Sequence, residues 1–489
     1  MKTKHQLFKL KLSLRLCNLQ VSVFNLQKFV LYPILISVLC ITLAGCKQEQ
    51  TYLRPAPKRG FEKRINNAVY DLRIINTHEH LPQEQEVLNM PPDFNVFFKT
   101  YQTSDMVSAG MGMYEEPRRW LVVMQKLESK DISIDEKWNY IKDVWKETAT
   151  TAFGRAVLIS IKDLYGIDDL NENTYKELCA RIEKVHKKDY YYDYVLREKA
   201  KIDLSILIGS INSQYDPKFF RHLIEISPMV QFNNFNQISS FIKEYQLPDI
   251  NTLADLEKAV ESAFQQGVEN GAIGVKTLSA YSRTIQYDDV PREKAEEILI
   301  KMKTDPEKSL PADAAKQLED FLFYKILSLC EQYDLPIQIH TGIQTFNGNW
   351  LANTNPILLT NTIMHFPKVR FILLHSGYPY GGETAALAKM FTNVYIDMTW
   401  TPLISPSYAV RYLQEYIETV PQNKIMAFGG DCNTVEGTYS ASVLAREVVV
   451  QALVPMVRNG YLSEEEAIVL ARKILRENAI KIYKLDFLK

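Results

Sequence analysis

The sequence predicts an α/β protein built as a (β/α)8 TIM barrel with a helical insertion after strand 1. Three observations predict it. Short aliphatic runs alternate with segments of helical period from Leu72 to Asp431 with no hairpin turn between them, so neighbouring strands are parallel. Eight such strands can be counted, the number that closes a barrel. No Gly-x-Gly-x-x-Gly follows any strand, which removes the main support for a doubly wound open sheet.

In chain order, residues 1–45 read as a lipoprotein signal peptide. Lys2, Lys4, Lys9, Lys11, Arg15 and Lys28 precede an apolar run, Phe29 to Gly45, that stops at Cys46. A basic start, an apolar middle and small residues before a cut mark a secretory signal. Leu43-Ala44-Gly45-Cys46 resembles the bacterial lipobox, which implies cleavage before Cys46 and a diacylglyceryl group on its sulfur. A permanent transmembrane anchor is the weaker alternative, because the run is barely long enough to span a bilayer. Either way the rest of the chain is tethered outside the cytoplasm, and the expected location is the bacterial cell envelope. A polar, Pro-containing tether occupies residues 46–63, and residues 64–489 form the folded unit.

Leu72 to His80 is strand 1. Residues 81–198 have helical rather than barrel character: Ser133 to Thr148 carries Trp138, Ile141, Val144 and Trp145 on one face, and Tyr175 to Val185 carries Leu178, Ile182 and Val185. Tyr190, Tyr191, Tyr192 and Tyr194 are expected to pack this insertion on the barrel, contact with a substrate being the alternative. Lys201 to Gly209 reads as strand 2 and Ile226 to Phe232 as strand 3. Thr252 opens a helix with a capping box to Asp255; Leu256, Val260, Ala263, Phe264 and Val268 form its buried face, and Gly271 stops it. Strand 4 is Ala272 to Leu278, and a helix through Phe321 to Tyr333 leads to strand 5, Pro336 to His340. Val369 to His375, Val394 to Met398 and Ile425 to Asp431 are strands 6, 7 and 8, and Ser463 to Ile482 is a terminal helix.

Of 489 residues 46% are hydrophobic, and 57 Lys+Arg balance 58 Asp+Glu. The chain can bury a large core and has no overall field to attract nucleic acid, which is excluded as a partner. Of six cysteines, Cys17, Cys40 and Cys46 lie in the leader; Cys179, Cys330 and Cys432 are too scattered for a zinc knuckle and allow at most one disulfide.

The chemistry gathers at strand ends. His78 and His80, one residue apart, face the same side of strand 1 and form a chelating pair. Strand 4 carries Lys276, strand 5 ends in His340, strand 6 in His375 and strand 8 in Asp431. A barrel collects all of these around its C-terminal mouth, where imidazoles and a carboxylate suit a divalent metal. Glu79, between the two histidines, points away from the mouth and reads as structural.

Thr77-His78-Glu79-His80, Gln338-Ile339-His340-Thr341-Gly342, Leu373 to Tyr380 (LLHSGYPY) and Gly429-Gly430-Asp431 resemble the metal-site motifs of the amidohydrolase superfamily. The likeness is to the amidohydrolase-related branch that includes domains fused to glutamine synthetase, and more distantly to uronate isomerases, which also carry a helical insertion after strand 1. The resemblance implies that His78 and His80 hold the tighter metal, zinc being the expected ion, with Asp431 completing the site and taking a proton from metal-bound water; His340 is a further ligand. It offers two versions of the rest. In a binuclear site Lys276 carries a carbamate bridging two metals, with His340 and His375 on the second; in a mononuclear one Lys276 stays an amine and His375 orients the attacking oxygen. The Lys-Thr-x-x-x-Tyr pattern from Lys276 to Tyr281 favours one metal.

Arg283 and Tyr281 are candidates to clamp an anionic substrate, and Tyr378 and Trp400 to wall the pocket. The chain departs from the branch at Ile343 to Asn347, where an acidic residue is expected after His340-Thr341-Gly342, and at Gly381-Gly382, where a charged residue is common. Both stretches are substrate loops. The expected function is therefore metal-dependent hydrolysis of a C–N or C–O bond in a small polar substrate. Decarboxylation or uronate-type isomerisation on the same site is the first alternative, and a non-catalytic ligand-binding surface lipoprotein the second.

Overall fold

The computed structural model describes residues 60–488, apart from residues 90, 100, 112–118, 188–189 and 347. The signal peptide, Cys46 and most of the tether lie outside the described residues. Helix α1 (Phe61–Asp71) starts inside the expected tether because Ile65 and Val69 find buried positions. Eight parallel strands follow in sequential order: β1 (Ile74–Glu79), β2 (Ile202–Gly209), β3 (Phe220–Glu225), β4 (Val275–Thr277), β5 (Ile337–Ile339), β6 (Phe371–Leu373), β7 (Val394–Asp397) and β8 (Ile425–Met426). The ring closes between β8 and β1 through backbone bonds from Thr77 N to Phe428 O (3.2 Å), Asp431 N to His78 O (2.9 Å) and His80 N to Cys432 O (3.1 Å). The expected (β/α)8 barrel is the observed fold.

Two strands differ from expectation. Strand 3 lies upstream of the expected Ile226 to Phe232: Phe220–Glu225 pairs with β2 and β4, while Ser227–Val230 is a helical turn with Pro228 near its start. Pro228 lacks the N–H a central strand must donate, and the charged Arg221 and Glu225 disguise the true strand. Strand 8 pairs only over two residues, because the chain then runs through Gly429 and Gly430 into a left-handed Asp431 (φ 58°). A Cβ on Gly430 would lie 1.9 Å from Glu79 Oε1, so only glycine permits this approach to β1.

The insertion is helical as expected, with α2 (Tyr101–Ser108), α3 (Arg119–Glu128), α4 (Ile134–Thr148), α5 (Ala152–Tyr165) and α6 (Tyr175–His186). Ser133 and Glu136 form a capping box on α4 and bury Trp138, Ile141 and Trp145. The barrel helices include α7 (Leu253–Glu269), with the expected Thr252–Asp255 capping box, α8 (Ala312–Tyr333) and α9 (Val435–Arg458). By length and composition α9 could cross a membrane, but 67% of its apolar window is buried inside the protein. Insertion and barrel are tied at Glu436 of α9, a buried carboxylate that accepts from Tyr165 Oη (2.8 Å), Tyr191 Oη and His186 Nε2 (3.3 Å). Tyr191 thus packs the insertion on the barrel, as expected.

Below the mouth the barrel interior is apolar: Ile75, Leu204, Ile206, Leu223, Ile372, Leu374 and Met426 pack against Ile480, Ile482, Tyr483 and Leu485 of the C-terminal segment. The expected terminal helix is present and runs from α10 (Glu464–Arg472) into α11 (Asn478–Ile482) through one wide helical turn, in which the Ile474 carbonyl accepts from Ala427 N just past β8 (2.8 Å). Cys179, Cys330 and Cys432 are free and buried.

Candidate metal centre

Strand β1 sets the site. Ile75 faces the barrel interior and so does His78, three positions on, which strict alternation forbids. The register of β1 on β2 breaks between Asn76 and Glu79, and this irregularity turns His78 inward. His80 follows on the same side, and Glu79 points outward to Thr438 of α9 (2.8 Å) and Cys432 N, as expected of a structural residue. The β8–β1 seam then brings Asp431 against the histidines: its Oδ1 lies 3.2 Å from His78 Nε2 and 3.0 Å from His80 Nε2.

These three ligand atoms lie within 4.8 Å of one another. Burial, with Lys276 nearby, lowers His78 to about 4 and keeps its ring neutral. The Asp431 carboxyl, in contact with both imidazoles, is held well below the usual range despite its burial. A neutral imidazole and an ionised carboxylate facing each other are both electron-pair donors, so this set fits a divalent cation.

His340 does not join that trio. Its Nδ1 sits 3.0 Å from His375 Nε2, and its Nε2 is 3.0 Å from the Ile343 carbonyl. His375, held in a left-handed turn (φ 61°), places Nδ1 3.2 Å from the Thr399 carbonyl. Carbonyls only accept, so the outer nitrogens carry the hydrogens. Both rings are neutral: burial pushes His375 down to about 3, and burial with His375 and Lys276 pushes His340 well below its ordinary value. Two bare nitrogens therefore face each other, and a shared proton or a second cation satisfies both.

Lys276, on β4, is fully buried and its Nζ makes no hydrogen bond. Burial lowers the amine to about 7, although Asp431, Asp397 and Glu225 pull the other way. With His78, His80, His340, Asp431 and Tyr281, Lys276 lines a cavity of about 310 Å³ at the barrel mouth. The Tyr281 ring lies 4.8 Å from that of His340.

Three expected substrate contacts sit elsewhere. Arg283 pairs with Asp320 (2.6 Å) and Glu319 (3.5 Å) of α8 and donates to the Thr284 and Gln286 carbonyls, so its guanidinium ties its loop to α8 instead of reaching the mouth. Tyr378 packs on Tyr408 (4.6 Å). Trp400 is buried behind the site, edge-on to His375 (5.4 Å) and against Tyr101 (4.6 Å).

Sequence reasoning missed three residues. Tyr101 of the insertion lines the mouth and donates to the Asp431 carbonyl. Gln338 accepts from His78 Nδ1 (2.6 Å), and its two-residue spacing from His340 could have placed it in the interior. Asp397, buried on β7 and raised to about 6 by burial, accepts from Thr399 N and Oγ1.

Residues 247–485 match the amidohydrolase family model. The chain is also similar to protein fluG of Emericella nidulans, 32% identical over 184 residues, which is 36% of this chain and 21% of fluG. It thus spans about a fifth of the length of that curated relative. The family-model match supports the amidohydrolase superfamily. Among solved structures, a uronate isomerase from Thermotoga maritima has a TM-score of 0.70 at 16% identity, covering 86% of this chain and 97% of its own. A glucuronate isomerase from Caulobacter crescentus has a TM-score of 0.69 at 16% identity, covering 89% and 97%. At such identity these likenesses describe the fold, and their extent takes in the insertion as well as the barrel.

Proposed function

We propose that this chain is a divalent-metal-dependent hydrolase of the amidohydrolase type, cleaving a C–N or C–O bond in a small polar or carboxylate-bearing substrate. The observation that carries the reading is the convergence of His78 Nε2, His80 Nε2 and Asp431 Oδ1 at the floor of the mouth cavity. A bound divalent cation, zinc by the donor set, supplies Lewis acidity and lowers the pKa of water to about 7. Asp431 turns Oδ1 to both histidines and keeps Oδ2 for accepting a proton from the attacking water. Lys276, near 7, attracts a substrate carboxylate as the ammonium or returns a proton to the leaving group. Tyr101 and Tyr281 flank the opening and exclude water. The leader supports a location in the bacterial cell envelope, anchored by lipid on Cys46.

A second reading is aldose–ketose isomerisation, supported by the two uronate-type isomerases that share this architecture. Product mass separates the two. Zinc-loaded protein is incubated with N-acyl amino acids, lactones and hexuronates, and products are read by mass spectrometry. Net addition of one water supports hydrolysis. An isomer of unchanged mass, or release of carbon dioxide, overturns it in favour of isomerisation or decarboxylation, and no turnover of any class favours a binding protein.

A further inference from the structure

We propose that Gln338 fixes which nitrogen of His78 faces the cation, and that the C-terminal segment holds Gln338 in that role. The inference rests on His78 being a ligand. Gln338 Nε2 lies 2.8 Å from the Thr77 carbonyl and 2.6 Å from Tyr483 Oη, and its Oε1 lies 2.6 Å from His78 Nδ1. A backbone carbonyl can only accept, so the amide end facing Thr77 is the NH2 group. The amide oxygen then faces His78, and because that oxygen can only accept, His78 Nδ1 must carry the hydrogen. A neutral His78 with Nδ1–H has its lone pair on Nε2, the atom turned toward Asp431 Oδ1 at 3.2 Å.

Among the described residues, Gln338 is the hydrogen-bond partner of His78 Nδ1. The other tautomer would place a hydrogen on Nε2 and donate it to Asp431, satisfying the carboxylate and closing the site to a cation. Gln338 is fully buried, and its NH2 group has two acceptors, one on β1 and one on Tyr483, just past α11. Tyr483 also belongs to the apolar plug beneath the barrel. The plug thus reaches a proposed metal ligand through one amide. Gln338 touches neither cation nor substrate and is a positioning residue.

The first measurement needs no metal. Nitrogen-15 spectra of histidine-labelled, metal-free full-length protein, with His78→Gln to assign the signal, read which ring nitrogen is protonated. Nδ1–H is expected, and Nε2–H overturns the proposal. The second is zinc affinity by competition with a chromophoric chelator. Gln338→Leu should weaken zinc by about 10- to 100-fold. Gln338→Glu keeps an acceptor for His78 but loses the NH2 group donated to Thr77 and Tyr483, so its zinc affinity should fall between those of wild type and Gln338→Leu, whereas a merely structural role would leave it no tighter than Gln338→Leu. Tyr483→Phe should lose about fivefold, the value of one neutral hydrogen bond. Wild-type zinc affinity in a folded Gln338→Leu protein overturns the proposal, and if that variant does not fold, the spectra and Tyr483→Phe still decide. Failure of the wild type itself to bind zinc would sink the functional reading, while the tautomer measurement would stand apart from it.

Discussion

Replacing Lys276 by Met should make the metal-free protein more stable and inactive at once. The amine is fully buried, without a hydrogen bond, and falls from an ordinary 10.5 to about 7. In the unfolded chain at pH 7 it is charged; in the fold it is about half neutral. The free-energy cost of that difference is RT ln of the ratio of the two binding polynomials, about 4 kcal/mol at pH 7. The sign follows from proton counting. The unfolded state binds more protons between the two values, so wild-type stability rises with pH from about 7 to about 10.5. Lys276→Met lacks this dependence, and its advantage should be full below pH 7 and vanish near 10.5. Urea unfolding across that range, on protein stripped of metal, measures both. A variant that unfolds at or below the wild-type midpoint at pH 7, or an advantage that does not shrink with pH, would refute the reasoning. A gain in stability with a loss of turnover is what a residue kept for chemistry should give.

Glu436→Ala should cost about 3–5 kcal/mol, because it strands Tyr165, Tyr191 and His186 without their buried carboxylate. Burial opposes it, but His186 and Tyr191 hold Glu436 below its ordinary value, so its contribution is present above the unfolded value of about 4.3 and is lost as pH falls through the folded one. Wild type and variant should therefore converge in acid, and equal stability at pH 7 would contradict the tie. Elemental analysis of zinc-loaded protein should read one ion per chain, since three ligand atoms meet at His78, His80 and Asp431 and only two at His340 and His375. A second equivalent with a carbamate mass on Lys276 would establish the binuclear version. Zinc at a thousandfold excess over its dissociation constant should slow amide exchange at His80 and Asp431 by up to about a thousandfold, because the ion would bridge the β8–β1 seam on which both amides bond. Unchanged exchange there would place the ion elsewhere.

Legibility followed residue type and range. The strands β1, β2, β4, β5, β6 and β7 were readable because buried parallel strands are continuous aliphatic runs, and β3 was not because Arg221 and Glu225 interrupt it. His78, His80, Lys276 and Asp431 were readable because a barrel sends its strand ends to one mouth, and those four do line it. Arg283 was misplaced because Asp320, its closest partner, lies 37 positions on in α8, a pairing no local pattern encodes. Tyr101 was invisible for the same reason: nothing in the period of α2 says that its ring crosses to the barrel and meets Trp400. Gln338 carries neither charge nor ring, so its residue type does not separate it from an ordinary strand glutamine, and only its 2.6 Å contact with His78 does.

The barrel interior is divided into two layers, and the division explains how the site is tuned. The lower layer is apolar from Ile75 to Met426 and is sealed from below by Ile480, Ile482 and Tyr483. The upper layer replaces hydrocarbon with His78, Lys276, Gln338 and Asp397, all buried. Water cannot reach these groups from beneath, so desolvation dominates: it drives Lys276 down to about 7 and Asp397 up to about 6, bringing an amine and a carboxyl that normally differ by several orders of acidity close together. The C-terminal plug therefore bears on the site in two ways, as the seal that sets these acidities and, in the role proposed for Tyr483 and Gln338, as the brace behind His78. An apolar upper layer would give a more stable barrel. The upper layer keeps four ionisable or amide side chains where hydrocarbon would be more stable, the pattern expected if the cavity above them carries out the reaction proposed for it.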